Sequence, residues 1–568
     1  MLRYDGPLIV QADRQVLLDE RHPRANEARE SLSRFADLVK RPGDLHTYRI
    51  TPLSVWNAAA AGVTPEDIAD CLVGYSRYDV PASLLDDIGR LTGRYGKLRL
   101  ERREDEIVLV TFDSAMAAEL GELAGWAEKR PAASGVFEWT VPVERRGVLK
   151  QELIRRGYPV LDLAGYHQGE SLPVELRERT AGGRLFSLRD YQERAVDLFY
   201  REGDAHGGSG VLVLPCGAGK TVVGMAALSR LRCAALILTS NVTSVRQWKS
   251  ELLDKTTLTE EEVGEYAGDS REVKPVTIAT YQIMTHRRSK EDGFVHMHLF
   301  GDRDWGLIIY DEVHLLPAPV FRMTADIQAT RRLGLTATLV REDGREEDVF
   351  SLIGPKRFDL SWRTLEARGW IARVTCAEIR VPLEGAQADR YASAEPRAKN
   401  RIAAENPAKA EIVRELLGLH RERSVLVIGQ YLNQLKKLAG AIGAPLITGE
   451  TPYDEREALY GRFKAGEVPV IVVSKVANFA VDLPDAAVAI QVSGSFGSRQ
   501  EEAQRIGRIM RPKPGDNAAW FYTLVSEGTK ETEFALKRQL FLTEQGYEYR
   551  LVRRGGGEAR PLRKEAAE

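Results

Sequence analysis

The 568-residue sequence predicts an α/β protein with two tandem doubly wound parallel-sheet domains, preceded by an α+β accessory domain. Three observations lead there. From about residue 205 onward, short continuous runs of β-branched and other apolar residues recur in two series. Amphipathic stretches of helical period lie between them, and nearly every run ends in a polar residue. Strands buried on both faces of a parallel sheet lose the polar alternation of half-exposed strands. Parallel neighbours also need crossover helices, and ligands gather at the carboxyl ends of such strands.

Residues 1–180 read as an accessory domain with a linker. They mix helical patterns, as in TPEDIADCLVGYSRY (64–78), with an expected strand pair in LRLERREDEIVLVTF (98–112). The stretch AGYHQGESLPVELRERTAGGR (164–184) reads as the linker. The first sheet domain is expected over 181–375, with runs VLVLP (211–215), AALILTS (234–240), VTIATYQ (276–282), LIIYDE (307–312) and RLGLTAT (332–338). The second is expected over 376–550. Its runs are SVLVIGQ (424–430), APLITG (444–449), VPVIVVS (468–474), AAVAIQVS (486–493) and WFYTLVS (520–526). NPAKAEIVRELLGLHRER (406–423) suits a crossover helix. The Gly-rich, charged end at 551–568 reads as a disordered tail. No internal sequence repeat is visible.

Composition narrows the class. Lys and Arg total 80 against 82 Asp and Glu, so no global basicity marks a nucleic-acid partner, although a basic channel fits on a neutral protein. Cys71, Cys216, Cys233 and Cys376 lie far apart with no CxxC pair, which argues against a structural zinc or a disulfide scaffold. No run approaches the roughly 20 apolar residues of a membrane span. The expectation is a cytoplasmic protein with no membrane partner.

VLVLPCGAGKTVVGMAAL (211–228) places a strand, a glycine-rich turn and then Lys220 and Thr221 at a helix start. Gly217, Ala218 and Gly219 let backbone N–H groups wrap a triphosphate at the helix N-terminus. Lys220 is expected to reach the β- and γ-phosphates, with the Thr221 hydroxyl on Mg²⁺. Leu214 stands where the usual pattern has a small residue. Downstream, IIYDEVHLLPAP (308–319) sets Asp311, Glu312 and His314 at the end of an apolar run. Three readings compete: a zinc site, a magnesium site with a water-activating base, or the polar end of a buried strand. Zinc lacks partners, because no second His or Cys stands at ligand spacing. On the same predicted sheet as the phosphate loop, Asp311 would hold Mg²⁺ through water and Glu312 would orient the attacking water. His314 alone reads as packing, placed to hydrogen-bond Thr336 or the Gln504 side of a cleft.

Further residues suit a nucleotide clasped by two domains. Arg189 and Gln192 in LRDYQ (188–192) precede the first strand, and a glutamine amide matches both the donor and the acceptor edges of adenine. Thr336 and Thr338 in LTATLVRED (335–343) are expected to contact the acidic pair. In EEAQRIGRIMRPKPG (501–515), a helix would put Gln504, Gly507, Arg508 and Arg511 on one face and turn Arg505 away. Arg508 and Arg511 would then meet the γ-phosphate in the manner of arginine fingers. Trp248 would stack on a base; the alternatives at this level are a solvated basic face for the arginines and core packing for Trp248.

LRDYQ, PCGAGKT, ILTSNVTSVRQW, ATYQIM, DEVH, LTAT, SKVANFAVDLPDA and QRIGRIMRP, in this order, resemble the motifs of superfamily 2 helicases over residues ~185–525. The DEVH spelling, the Leu-Pro-Cys of the phosphate loop and Arg341-Glu342-Asp343 resemble the XPB family, as does LHTYRITPLSVWNAAAAG (45–62). The resemblance implies two RecA-like motor domains and ATP-driven 3′→5′ DNA unwinding in nucleotide-excision repair. It implies nucleotide contacts from Arg189, Gln192, Gly217, Gly219, Lys220, Thr221, Asp311, Glu312, Gln504, Arg508 and Arg511. DNA contacts are implied near Thr239, Ser240, Gln247, Thr280, Gln430, Thr448 and Ser474, and duplex separation by Arg341, Glu342 and Asp343. Partners implied are DNA, single-stranded and at duplex junctions, and a nuclease or repair protein. The connection between the motor domains is short, which leaves residues 388–401 as the only stretch for the thumb-like insertion of some members. Other readings are a duplex translocase or an ATP-gated nucleic-acid clamp that does not separate strands.

Overall fold

Each of the continuous apolar runs becomes a strand of a covered parallel sheet. The computed structural model describes residues 5–40, 45–104, 106–121, 127–201, 207–215, 217–289, 294–328, 330–337, 345–360, 362–474, 486–494, 509, 512–513, 517–544 and 549–553. Contact density divides the chain into two compact units, residues 1–214 with 219–359, and 360–568 with the short segment 215–218.

The first unit opens with two small sheets rather than one. Strands β1 (Leu8–Val10), β2 (Gln15–Asp19), β3 (Asp37–Lys40) and β4 (Leu45–Arg49) form an antiparallel sheet in the order β1-β2-β4-β3. Helices Pro52–Ala60 and Pro65–Tyr75 start where the sequence supplies Thr-Pro. Thr51 and Thr64 each accept the N–H three residues on, and proline takes the first helical position. Leu8, Val16 and Leu18 of the sheet share a core with Val55, Ile68, Leu72 and Ile88 of the helices. The second sheet, in the order β7-β8-β6-β5-β9, contains β5 (Leu98–Arg103), β6 (Glu106–Thr111), β7 (Glu128–Arg130), β8 (Phe137–Val141) and β9 (Val160–Leu163). The expected strand pair at 98–112 is the antiparallel pair β5–β6.

The third sheet is parallel throughout and carries the phosphate-loop motif. It holds β10 (Ser209–Val213), β11 (Ala235–Thr239), β12 (Val263–Tyr266), β13 (Val276–Thr280), β14 (Leu307–Asp311), β15 (Arg331–Thr336) and β16 (Lys356–Asp359), in the order β12-β13-β11-β14-β15-β10-β16. The second unit holds β17 (Arg373–Val381), β18 (Val425–Gly429), β19 (Leu446–Ile447), β20 (Val470–Ser474), β21 (Val488–Gln491), β22 (Ala518–Ser526) and β23 (Tyr549–Arg553), in the order β19-β20-β18-β21-β22-β17-β23. Numbered one to seven within each sheet, both read 3-4-2-5-6-1-7. The chain repeats a fold that its sequence does not repeat, and the tandem doubly wound architecture is as expected.

Two expectations change. The stretch 164–184 is no free linker but a strap along the first motor sheet. Glu170 N–H donates to Asp304, Leu172 N–H to Arg232, and Ala234 N–H back to Glu170. Gly169 lies so close that a Cβ there would meet the Gly306 backbone at 2.2 Å. Leu551–Arg553, expected in a tail from 551, pair with β17; residues 554–568 lie outside the described residues.

The small sheets are joined to the motor sheet by shared packing. Trp56, Ile154 and Phe350, one from each module, form a common apolar cluster. The helix Arg146–Arg155 lies so close to the helix Ala318–Asp326 that a Cβ on Gly147 would sit 2.2 Å from the Ala325 carbonyl oxygen. Gly147→Ala should therefore lower the melting temperature through overpacking worth about 1–3 kcal/mol; an unchanged melting curve would show that the contact is slack. In the second unit, His420 Nε2 lies 2.9 Å from the Tyr522 hydroxyl, with the ring packed on Trp520. Burial, and secondarily Arg423, hold its pKa down at about 4. Unfolded histidine takes up a proton near 6.5, so the unfolded chain binds more protons between those values. Stability contributed by neutral His420 is present above about pH 6.5 and lost as pH falls toward 4; His420→Asn should flatten that limb in a pH series of thermal melts.

Candidate functional site

The site forms where β10, β11, β14 and β15, neighbours in one parallel sheet, end together. After β10 the chain turns through Leu214–Gly219 and enters the helix Lys220–Leu231. Gly217 (φ +80°) and Gly219 (φ +78°) hold left-handed backbone that side chains resist. Gly219 is needed twice over, since a Cβ there would lie 2.6 Å from the Gln192 amide nitrogen. Gln192 is buried in the first turn of the helix Asp190–Tyr200, and its carbonyl oxygen accepts the Arg189 N–H at 2.9 Å. The glutamine singled out for an adenine edge thus lies against the phosphate loop, with one side of its amide already engaged.

Asp311 ends β14, and Glu312 follows in a left-handed conformation (φ +54°) that costs a non-glycine residue about 1–2 kcal/mol. The bend directs the Glu312 carboxylate to Lys220, whose Nζ lies 3.3 Å from it. The Ala337 N–H also donates to that carboxylate. Asp311 accepts the Trp248 indole N–H at 2.9 Å, and the Thr239 hydroxyl lies 3.5 Å from the same oxygen. The Tyr281 hydroxyl donates to the Asp311 carbonyl at 3.0 Å. Burial first, and the adjacent Glu312 second, push Asp311 up to about 6. Burial alone would raise Glu312 as well, but the Lys220 ammonium leads the groups that reverse the shift and hold it below the usual carboxylate range.

His314 is buried, and its Nδ1 lies 2.8 Å from the Thr336 hydroxyl at the end of β15, one of the two placements expected for it. The same nitrogen lies 3.6 Å from Glu312. A chain of contacts thus runs Lys220–Glu312–His314–Thr336 across strand ends. A half-buried carboxylate pair, crowded enough to raise one member, is a donor set suited to a hard, oxygen-liganded cation. Thr221, in the first turn of the phosphate-loop helix, is half-buried beside Lys220. These residues fit Mg²⁺ with a nucleotide triphosphate.

Several residues expected to contact DNA make contacts within the fold. Thr239 is fully buried against Asp311. Thr280 caps the short helix Tyr281–Met284 by accepting the Ile283 N–H, and Thr448 accepts the Glu450 N–H from a buried position. Ser240 is half-buried and Gln247 exposed, both following the end of β11. In the second unit, Gln430 follows β18 and Ser474 ends β20. Gln430 Oε1, Ser474 Oγ and both amide atoms of the fully buried Gln491 lack hydrogen-bond partners among the described residues. They lie on three adjacent strands, an arrangement that costs about 1–3 kcal/mol per group unless a polar ligand or neighbour meets them. Thr338, Arg341, Glu342, Asp343, Gln504, Arg508 and Arg511 lie outside the described residues.

Trp248 and Tyr281 are residues of the first unit that sequence reasoning did not assign to the site. Trp248 carried a usable signal. Val245, Trp248 and Leu252 share the inner face of the helix Val242–Lys255, which places the indole under the strand ends.

Known proteins resemble the chain over nearly all its length. A family model described as ERCC3/RAD25/XPB C-terminal helicase matches residues 365–561. One described as Type III restriction enzyme, res subunit, matches 185–341, and one described as Helicase conserved C-terminal domain matches 8–129. The protein named DNA 3'-5' helicase XPB from Kineococcus radiotolerans is 52% identical over 552 residues, covering 96% of each chain. Its namesake from Mycobacterium tuberculosis is 52% identical over 546 residues, covering 96% of this chain and 97% of the relative. The General transcription and DNA repair factor IIH helicase/translocase subunit XPB of Encephalitozoon cuniculi is 33% identical over 575 residues, covering 97% of this chain and 84% of the relative.

Proposed function

Because the chain belongs to the XPB helicase family, we propose that it is an ATP-dependent DNA helicase moving 3′→5′, of the kind that serves nucleotide-excision repair. The observation that carries the reading is the Lys220–Glu312–Asp311 cluster, where the phosphate-loop strand β10 and the strand β14, one strand apart in the sheet, end together. Phosphoryl transfer needs positioned charge more than covalent chemistry, and this cluster is positioned charge.

Each residue takes a role its surroundings suit. Gly217, Ala218 and Gly219 give their backbone to the triphosphate, and Lys220 exchanges Glu312 for phosphate oxygens. Arg189 and Gln192 flank the base. Thr221 and Asp311 would hold Mg²⁺, which when bound offsets the charge of the phosphates. Glu312, released from Lys220, orients the attacking water and accepts its proton. His314 and Thr336 carry the state of Glu312 to β15 and onward to Thr338. Gln504, Arg508 and Arg511 are assigned to the γ-phosphate on their motif alone. Ser240 and Gln247 are left as phosphate-backbone contacts for one DNA strand, with Gln430 and Ser474 as their counterparts in the second motor domain. Arg341, Glu342 and Asp343 are assigned to the duplex junction. The N-terminal sheets meet DNA damage or a repair partner such as a nuclease, and the protein acts in the cytoplasm on nucleoid DNA. Among the described residues no helix is long and apolar enough to cross a membrane.

A second reading, translocation on duplex without strand separation, draws on the helicase/translocase name of the Encephalitozoon cuniculi relative. Duplexes with a 3′ or a 5′ single-stranded tail separate the two: unwinding of the 3′-tailed substrate alone is expected, and triplex displacement without any unwinding would favour the translocase. Lys220→Ala should abolish DNA-stimulated ATP hydrolysis while DNA affinity without nucleotide stays within about threefold; hydrolysis at the wild-type rate would overturn the assignment of the loop.

A further inference from the structure

Two aromatic side chains from two different crossovers end on one residue. Trp248 lies on the helix Val242–Lys255 that follows β11, and its indole N–H donates to the Asp311 carboxylate at 2.9 Å. Tyr281 opens the short helix that follows β13, and its hydroxyl donates to the Asp311 carbonyl oxygen at 3.0 Å. Strands β13, β11 and β14 are consecutive neighbours in the sheet, so the two donors reach Asp311 from the same side of β14.

Both side chains are buried, Trp248 to 1% exposure and Tyr281 to 4%. Trp248 is also held in place. A Cβ on Gly224, one turn into the phosphate-loop helix, would meet the edge of the indole at 2.5 Å, and Leu335 lies against the same spot. The indole is therefore wedged between the phosphate-loop helix, β15 and Asp311, with little freedom to move independently of them. On the helix Val242–Lys255, Gln247 beside Trp248 is exposed, and Ser240 stands half-exposed where β11 ends. The crossover after β11, which carries both residues proposed to meet DNA in this sheet, thus grips Asp311 through Trp248, and the neighbouring crossover after β13 grips it through Tyr281.

We propose that Trp248 and Tyr281 are positioning residues that couple DNA binding to nucleotide binding by setting where Asp311 stands. A shift of the β11 crossover on meeting a phosphate backbone moves the Trp248 donor against Asp311 while Tyr281 holds the Asp311 backbone from the β13 crossover, and a bound nucleotide that fixes Asp311 biases the crossovers in return. Such coupling is reciprocal by thermodynamic necessity and is typically about 5- to 150-fold. The proposal rests on the reading of the site as an ATP-driven DNA motor.

The test uses the full chain and three proteins: wild type, Trp248→Phe and Tyr281→Phe. Each variant keeps its ring and loses one donor. The Kd of a fluorescent non-hydrolysable ATP analogue with Mg²⁺ is measured with and without saturating single-stranded DNA, and DNA affinity is measured without nucleotide. The expected result is that DNA tightens the analogue at least about fivefold in wild type. The factor should fall toward one in both variants while their DNA affinity stays within about twofold. A packing role alone would lower the melting temperature and leave the factor intact. An undiminished factor in Tyr281→Phe would overturn the proposal, even if Trp248→Phe fails to fold. A wild-type protein that binds both ligands independently would overturn it as well. A wild type that binds neither ligand would instead overturn the reading beneath it.

Discussion

Keeping two adjacent, half-buried carboxylates at the end of a β-strand is the constraint on which the first motor sheet turns. Asp311 and Glu312 would repel each other and resist desolvation, so each must be met by donors. The sheet supplies them from every side. Trp248 comes from the crossover after β11, Lys220 from the helix after β10 and Ala337 from the end of β15, with His314 3.6 Å from Glu312, while Tyr281 from the crossover after β13 holds the Asp311 main-chain carbonyl. A parallel sheet is suited to this because all its strands deliver their chain ends to one edge. The left-handed Glu312 adds the turn that separates the two carboxylates, one toward Lys220 and one toward Trp248.

That arrangement explains which parts of the fold were legible in the sequence. Strands buried on both faces announce themselves, and β10, β11, β13, β14 and β15 fall where their apolar runs lie. The edge strands β12 and β16 do not, because an edge tolerates Glu265 or Lys356-Arg357 where a central strand would not. Strand β17 was hidden for another reason. It is central, yet it carries Glu378 and Arg380, whose charges are buried as a pair with Tyr549 donating to Glu378. Local pattern reads burial of apolar side chains and is blind to burial of matched charges.

The site was legible in its reactive groups and less so in its supports. Lys220, Asp311, Glu312, His314 and Thr336 come together because their motifs mark the ends of neighbouring strands. Thr239 and Thr280 resemble ligand contacts in sequence for the same reason, but a hydroxyl at a strand end serves equally as a cap or a buried donor. Only packing decides between the two, and packing depends on residues far away in the chain. The N-terminal region shows this limit again: its strap rests on contacts with residues 232–234 and 304–306 and its Trp56 cluster on Phe350, which no local pattern reports.

The central claim is that Glu312 is the group that activates water once Lys220 has released it. Single-turnover hydrolysis by Glu312→Gln, with ATP affinity measured on the same protein, tests it most directly. Binding should persist while the hydrolysis step slows by about 10²- to 10⁴-fold, the range for loss of a general base. Hydrolysis at the wild-type rate would contradict the account.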